Sequence, residues 1–401
     1  MDSLPLQFIF RSMEPTEVQV DFGDGELKTF AVDSAITYVD GALCGEKVLK
    51  VYGDESKLWV MSLYNAALTE IETSVMPVLT CLGLGFNELT DIDLTKYPML
   101  EELTLAVNKL ESLDLSSLPK LKHATLFNCG VSEVDFSANP ALEIAYVDNL
   151  GLTDLDVSML PALRFLYCSG NALTELDLSK NPNLKQLDCK NNRFSNLDLS
   201  AQPDMWYLDV TNNNLILGTL PVLTGSGATY HYAPQNPYDM PSDTVGYVDF
   251  SAGYEIDGIV SEYTWRTEDG RTLIRGIDYE AEQGKFWFLE DGLKVMCQME
   301  NENFPLFTGE DALVTEFVIT RKGSVSNQDL QPVDFRCYTE PGTVCVELER
   351  PARVEVFDQL GRLCASMQAD GEVRIPVDQA GVYMLRVGEG QGVKVAKLLV
   401  L

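Results

Sequence analysis

Leu163-Arg164-Phe165-Leu166-Tyr167-Cys168-Ser169-Gly170-Asn171-Ala172-Leu173-Thr174-Glu175-Leu176-Asp177-Leu178-Ser179 returns 21 residues later as Leu184-Lys185-Gln186-Leu187-Asp188-Cys189-Lys190-Asn191-Asn192-Arg193-Phe194-Ser195-Asn196-Leu197-Asp198-Leu199-Ser200. The period extends in both directions: Leu58, Leu79, Leu100, Leu121, Leu142, Leu163, Leu184 and Met205 begin successive units of 21 residues. Within a unit the apolar positions are the start and 3, 5, 10, 13 and 15 residues on, and a proline closes seven units from Pro77 to Pro203. Eight residues in stand Asn87, Asn108, Asn171, Asn192 and Asn213, with Cys129 and Leu150 interrupting the series. Leu-x-Leu alternation makes a short strand with one face inward. A single unit cannot bury its leucines, but a stack can. A buried asparagine amide can bond the turn beside it and the next coil, so these five residues are expected to form a buried ladder.

This spacing is the leucine-rich-repeat pattern L-x-x-L-x-L-x-x-N/C-x-L. Units of 21 residues leave no room for a helix on the convex side. There Leu176-Asp177-Leu178-Ser179 and its equivalents predict a second short strand followed by a turn. Asp93, Asp114, Asp135, Asp156, Asp177 and Asp198 form an outward column beside it. Bonding to nearby Ser, Thr or backbone groups is the plain expectation. Calcium is the sharper one, but it takes about six to eight oxygens around one point. Cys168 and Cys189 occupy leucine positions and Cys129 an asparagine position, as small core residues.

The chain has 401 residues, 45% hydrophobic and 22% charged, enough apolar material for a core. Its 61 acidic against 29 basic residues leave a net charge of −32. That field repels a phosphate backbone, so no nucleic-acid partner is expected. No apolar run has the length of a membrane helix, and membrane insertion is not expected. Met1-Asp2-Ser3-Leu4-Pro5 lacks a basic start and an apolar segment, which predicts a cytosolic chain or one that begins after a removed leader.

The flanks read as further β-structure. Residues 1–57 predict an N-terminal β cap: Val18-Gln19-Val20-Asp21-Phe22-Gly23-Asp24-Gly25 is an alternating strand running into an Asp-Gly turn. The repeats themselves span 58–217, with seven parallel concave strands expected. Residues 218–330 carry short strand signals, with Trp265 and Cys297 placed as in an immunoglobulin-like β-sandwich. Residues 331–401, with 8 basic and 10 acidic residues, predict a separate sandwich joined by a linker near Ser324-Val325-Ser326-Asn327-Gln328. Cys337 and Cys345 flank a turn and would form a disulfide if the hairpin register brought them opposite each other. The fold class is mainly β: a 21-residue-unit solenoid behind a β cap, then two β-sandwich domains.

This layout resembles the surface and secreted leucine-rich-repeat proteins of the Bacteroidetes, with short internalin-like repeats. Asp21-Phe22-Gly23-Asp24-Gly25 matches the cap such proteins often carry, and an immunoglobulin-like module often follows the repeats. Phe357-Asp358-Gln359-Leu360-Gly361-Arg362, Gly381-Val382-Tyr383 and the apolar end at 394–401 resemble the C-terminal sorting domain of the type IX secretion system. The resemblance implies a secreted or outer-membrane-surface protein whose tail directs export.

Catalytic motifs are not apparent. The chain has only two histidines, His123 and His231, and no nucleophile elbow, phosphate loop or metal-ligand spacing. Asp188 and Asp209 share a column at about 5 Å, a spacing a retaining glycosidase could use, but a solenoid face is shallow. No enzyme activity, metal or cofactor is expected. Residues 2, 4 and 6 into each unit point outward from the concave strands. There His123, Phe127, Tyr146, Asp148, Phe165, Tyr167, Asp188, Tyr207 and Asp209 form the candidate ligand-binding set. Aromatic rings supply contact area at low entropic cost, and carboxylates beside them are expected to supply acceptors. The expected function is recognition or adhesion by a monomer binding a protein ligand on this face, with a glycan-binding accessory role as the alternative.

Overall fold

The computed structural model describes residues 6–400 apart from 42, 44–46, 55, 224–226, 241–243, 323–334, 349–351, 359–361, 378, 380 and 389–393. The expected linker at 324–328 lies outside the described residues. The chain forms two compact units, 1–236 with 306–311, and 237–305 with 312–401.

In the first unit an 11-stranded sheet forms the concave face. Nine of its strands are parallel, from Leu58–Leu63 through Cys81–Gly83 to Tyr207–Asp209 and Thr229–His231, each in register with the next. Leu79, Leu82, Leu84, Leu100, Leu121, Leu142, Leu163, Leu166, Leu184 and Leu187 are fully buried inside the stack. The parallel sheet therefore runs one coil past 217. From Tyr207 to Thr229 the spacing is 22 residues instead of 21, and Gln235 replaces the ladder asparagine. The longer side chain spans the extra residue: Gln235 Nε2 donates to Val210 O at 2.8 Å, and its Oε1 accepts from Leu215 N at 3.2 Å.

Two N-terminal strands extend this sheet. Leu6–Ser12 pairs antiparallel with the first repeat strand and carries Thr37–Gly41 on its far side. A second sheet, ordered Leu27–Val32, Thr16–Asp21, Val48–Gly53, Glu70–Thr73, lies in the same unit. In the Asp-Gly turn, Asp21 Oδ1 accepts from Gly23 N and Gly25 N.

The convex side departs from expectation. A second strand forms only at Glu70–Thr73; the equivalent segment of the next coil runs into a short 3-10 helix, Leu94–Lys96, and in later coils it is irregular. The reason is the aspartate column. Asp93, Asp114, Asp135, Asp156, Asp177 and Asp198 each accept from the backbone N–H two residues on, at 2.8–3.1 Å, which closes a tight turn and withdraws that donor from a ladder.

In the second unit, Trp265 is fully buried and directly opposite Cys297 in an antiparallel pair. Phe250, Phe286 and Phe288 surround its ring. A three-stranded sheet through Thr343–Leu348 and a four-stranded sheet through Ala352–Phe357 enclose another core, including Val344, Val346, Val354, Val356, Leu385 and Val387. Asp358 and Arg362 close the turn between two of these strands, with Arg362 Nε 2.8 Å from Asp358 Oδ2. Cys337 stands opposite Val346, and Cys345 opposite Tyr338. Side chains alternate faces along a strand, so the two thiols point to opposite sides and both are free.

Candidate functional site

The asparagine ladder sets the geometry of the concave face. Each ladder Nδ2 donates to a carbonyl in its own coil and to one in the coil before, as Asn192 does to Cys189 O and Cys168 O, both at 3.0 Å. Each Oδ1 accepts a backbone N–H of the preceding coil, such as Leu173 N at 3.0 Å. Asn87, Asn108, Asn192 and Asn213 are buried and Asn171 is half-buried. Where Cys129 replaces asparagine, backbone does the work: Leu110 N donates to Cys129 O at 2.8 Å. The next residue, Gly130, turns through φ +105°, and a Cβ there would come within 2.7 Å of Leu110 O.

A second amide ladder lies deeper in the coils. Asn139, Asn181 and Gln202 are buried and donate to carbonyls of the previous coil, as Asn181 Nδ2 does to Val157 O and Leu160 O at 2.9 Å. These three stand just before the repeat prolines, and that shared offset is the signal that could have revealed them.

The sheet register joins Thr104, Thr125, Tyr146, Tyr167, Asp188, Asp209 and His231 in one row, and Glu102, His123, Ile144, Phe165, Gln186 and Tyr207 in a parallel one. Tyr146 and Tyr167 stack with centroids 4.3 Å apart and planes 9° off parallel. Burial, and then hydrogen bonding with Tyr146, pushes the Tyr167 hydroxyl up to about 12. Phe127 meets Phe86 edge-on at 6.5 Å, Tyr207 lies 5.8 Å from the His231 ring, and His123 Nδ1 is 3.7 Å from Glu102 Oε1.

The aspartates are not the free acceptors expected of them. Asp188 and Asp209 are 8% and 7% exposed. Lys190 Nζ reaches both, at 3.0 Å and 3.5 Å. Burial raises the Asp188 carboxyl despite the ammonium beside it, and its hydrogen bond to Asp188 raises Lys190. Asp209 also accepts from Thr211 Oγ1 at 2.8 Å, and Asp148 from the Ser169 hydroxyl at 2.6 Å. Placing a shared cation between carboxylates is what lets an acidic chain hold both so close together. The triad stiffens the row instead of offering open oxygens.

The family described as leucine rich repeats (2 copies) matches residues 161–201. No curated protein matches the chain. Among solved structures the chain is similar to the functional domain of InlJ from Listeria monocytogenes, at 16% identity over 65% of this chain and 90% of that one, TM-score 0.31. It is also similar to the APL1 leucine-rich repeat domain, at 17% identity over 56% and 82%, TM-score 0.30. Immunoglobulin domains 1–5 of Sidekick-1 match at 14% identity over 43% and 40%, TM-score 0.14. The family match places leucine-rich repeats within residues 161–201. Among the described residues no helix is long and apolar enough to cross a membrane, and no cluster of three or more His, Cys, Asp or Glu could hold a metal ion.

Proposed function

We propose that the chain is a non-enzymatic recognition or adhesion protein, secreted or displayed at the cell surface, that binds a protein ligand on the concave face between His123 and Asp209. The Tyr146–Tyr167 stack carries this reading. The two rings spend a face on each other at 4.3 Å, so the stack meets a ligand as a rigid aromatic ridge. A protein partner needs a preorganised aromatic anchor with a desolvated polar surround. Phe165 beside the ridge and the Asp188–Lys190–Asp209 triad, in which one ammonium offsets half the acidic charge, supply that surround. The repeat scaffold is an interaction framework, which supports the non-enzymatic reading. We further infer a 218–330 immunoglobulin-like module and a 331–401 sorting-like domain on a Bacteroidetes surface protein. Buried Trp265 opposite Cys297 and the Asp358–Arg362 turn support these assignments.

The test is a crosslinking pull-down from native extracellular material, followed by titration of the captured protein against the triple variant Tyr146→Ala, Phe165→Ala, Tyr167→Ala. Affinity should fall by more than about 100-fold, as for central aromatic anchors. Undiminished binding by the triple variant would place the working surface elsewhere. The variant is also expected to be less stable, because the stack contributes about 0.5–1.5 kcal/mol beyond its buried area.

A further inference from the structure

The first coils of the concave face break two folding rules that the rest of the solenoid obeys. Seven residues into each coil the backbone enters the left-handed region, and the occupants are Asn65, Asn128, Asn149, Gly170, Asn191 and Asn212, at φ 52–67°. Asparagine and glycine are the residues that tolerate this conformation. Between them stand Phe86 at φ 59° and Val107 at φ 54°, a bulky and a β-branched side chain held where both are strained. Phe86 is 50% exposed, so packing does not explain it.

The second departure is the missing side chains beside it. Gly83 and Gly85 are consecutive outward positions of one coil, and Tyr64 of the preceding coil fills their space. A Cβ on Gly83 would lie 2.9 Å from the Tyr64 hydroxyl, and one on Gly85 would lie 2.8 Å from its Cε1. Tyr64 remains 40% exposed. The row beneath it is low and hydroxylated: Ser62, Gly83, Thr104 and Thr125 are direct neighbours in register. Phe86 and Phe127, edge to face at 6.5 Å, border this floor. Glu88 stands between Lys109 at 3.5 Å and Lys47 at 4.0 Å, and Glu102, on the same strand and outward face as Thr104, is the second carboxylate here, so two acidic groups balance two ammonium groups on a chain of net charge −32.

We propose that this patch is a second binding site, for a neutral saccharide, distinct from the Tyr146–Tyr167 ridge. Tyr64 and Phe86, unlike the stacked pair, are broadly exposed and offer apolar surface to the C–H face of a sugar ring. The Ser62, Thr104 and Thr125 hydroxyls both donate and accept, as sugar hydroxyls require. The paired charges offer no counter-ion to an anionic polymer, and the net field repels one. A purely apolar peptide would leave the hydroxyl floor unpaired.

The test uses the full chain in native gels containing galactomannan, xyloglucan, dextran or, as the anionic comparison, heparin. Retardation by at least one neutral polymer is expected. Phe86→Asn restores the residue the other coils use, so it should weaken retardation about fivefold to tenfold while raising the unfolding temperature. Tyr64→Ala should weaken retardation comparably. The triple variant at Tyr146, Phe165 and Tyr167 should be retarded like the parent, which separates this site from the Tyr146–Tyr167 ridge. Retardation by heparin alone, by no polymer, or undiminished in Phe86→Asn overturns the proposal. Competition by a leucine-rich hydrophobic peptide, or a lower unfolding temperature in Phe86→Asn, also overturns it.

Discussion

Replacing Asn192 with leucine keeps the number and branching of side-chain heavy atoms and removes the hydrogen bonds, so it tests the ladder. Asn192 is 4% exposed and holds Leu173 N, Cys168 O and Cys189 O, each at 3.0 Å. Leucine leaves the Leu173 N–H buried and unpaired, which costs about 1–3 kcal/mol, and withdraws one bond from each carbonyl at about 1 kcal/mol apiece. The expected loss is about 3–5 kcal/mol. Urea unfolding of the full chain, followed by far-ultraviolet circular dichroism, reads this as a lower midpoint of the repeat transition at unchanged slope. Asn196→Leu, four residues away and exposed, is the control and should stay within about 0.5 kcal/mol of the parent. A loss below about 1 kcal/mol for Asn192→Leu would refute the ladder as a source of stability.

Three further outcomes follow from the same geometry. Hydroxyl and backbone donors two residues on hold the carboxyls of Asp93, Asp114, Asp135, Asp156, Asp177 and Asp198 below the usual range. The unfolded chain then protonates first, so their stabilisation is present at neutral pH and disappears as pH falls through the folded values. Changing Asp156 and Asp177 to asparagine should flatten the acid decline in unfolding temperature, and an unchanged slope would contradict this. Lys190→Met leaves Asp188 and Asp209 without their shared cation and should destabilise the repeats by about 1–3 kcal/mol in the same urea assay, partly recovered by Asp188→Asn. Removing residues 331–401 should leave the melting of the repeats unchanged; collapse of the solenoid would make that segment a structural cap.

Period and burial were legible in the residues because a solenoid repeats the same burial problem every 21 positions. A leucine that must point inward cannot shift by one position without facing solvent. The spacing therefore determined the mainly β coil, the five ladder asparagines and the outward rows that carry His123, Phe165 and Tyr207. The coil ending at Gln235 escaped because its spacing is 22 residues and its amide sits on a longer side chain. What the outward residues do with one another belonged to the tertiary structure alone. Register decided that Cys337 and Cys345 face apart. Rotamers decided that Tyr146 and Tyr167 stack, and that Lys190 reaches across two coils to take up both Asp188 and Asp209. Linear pattern encodes which side of a strand a residue occupies. Contacts between side chains 21 residues apart depend on distances of a few ångströms that only the folded stack defines.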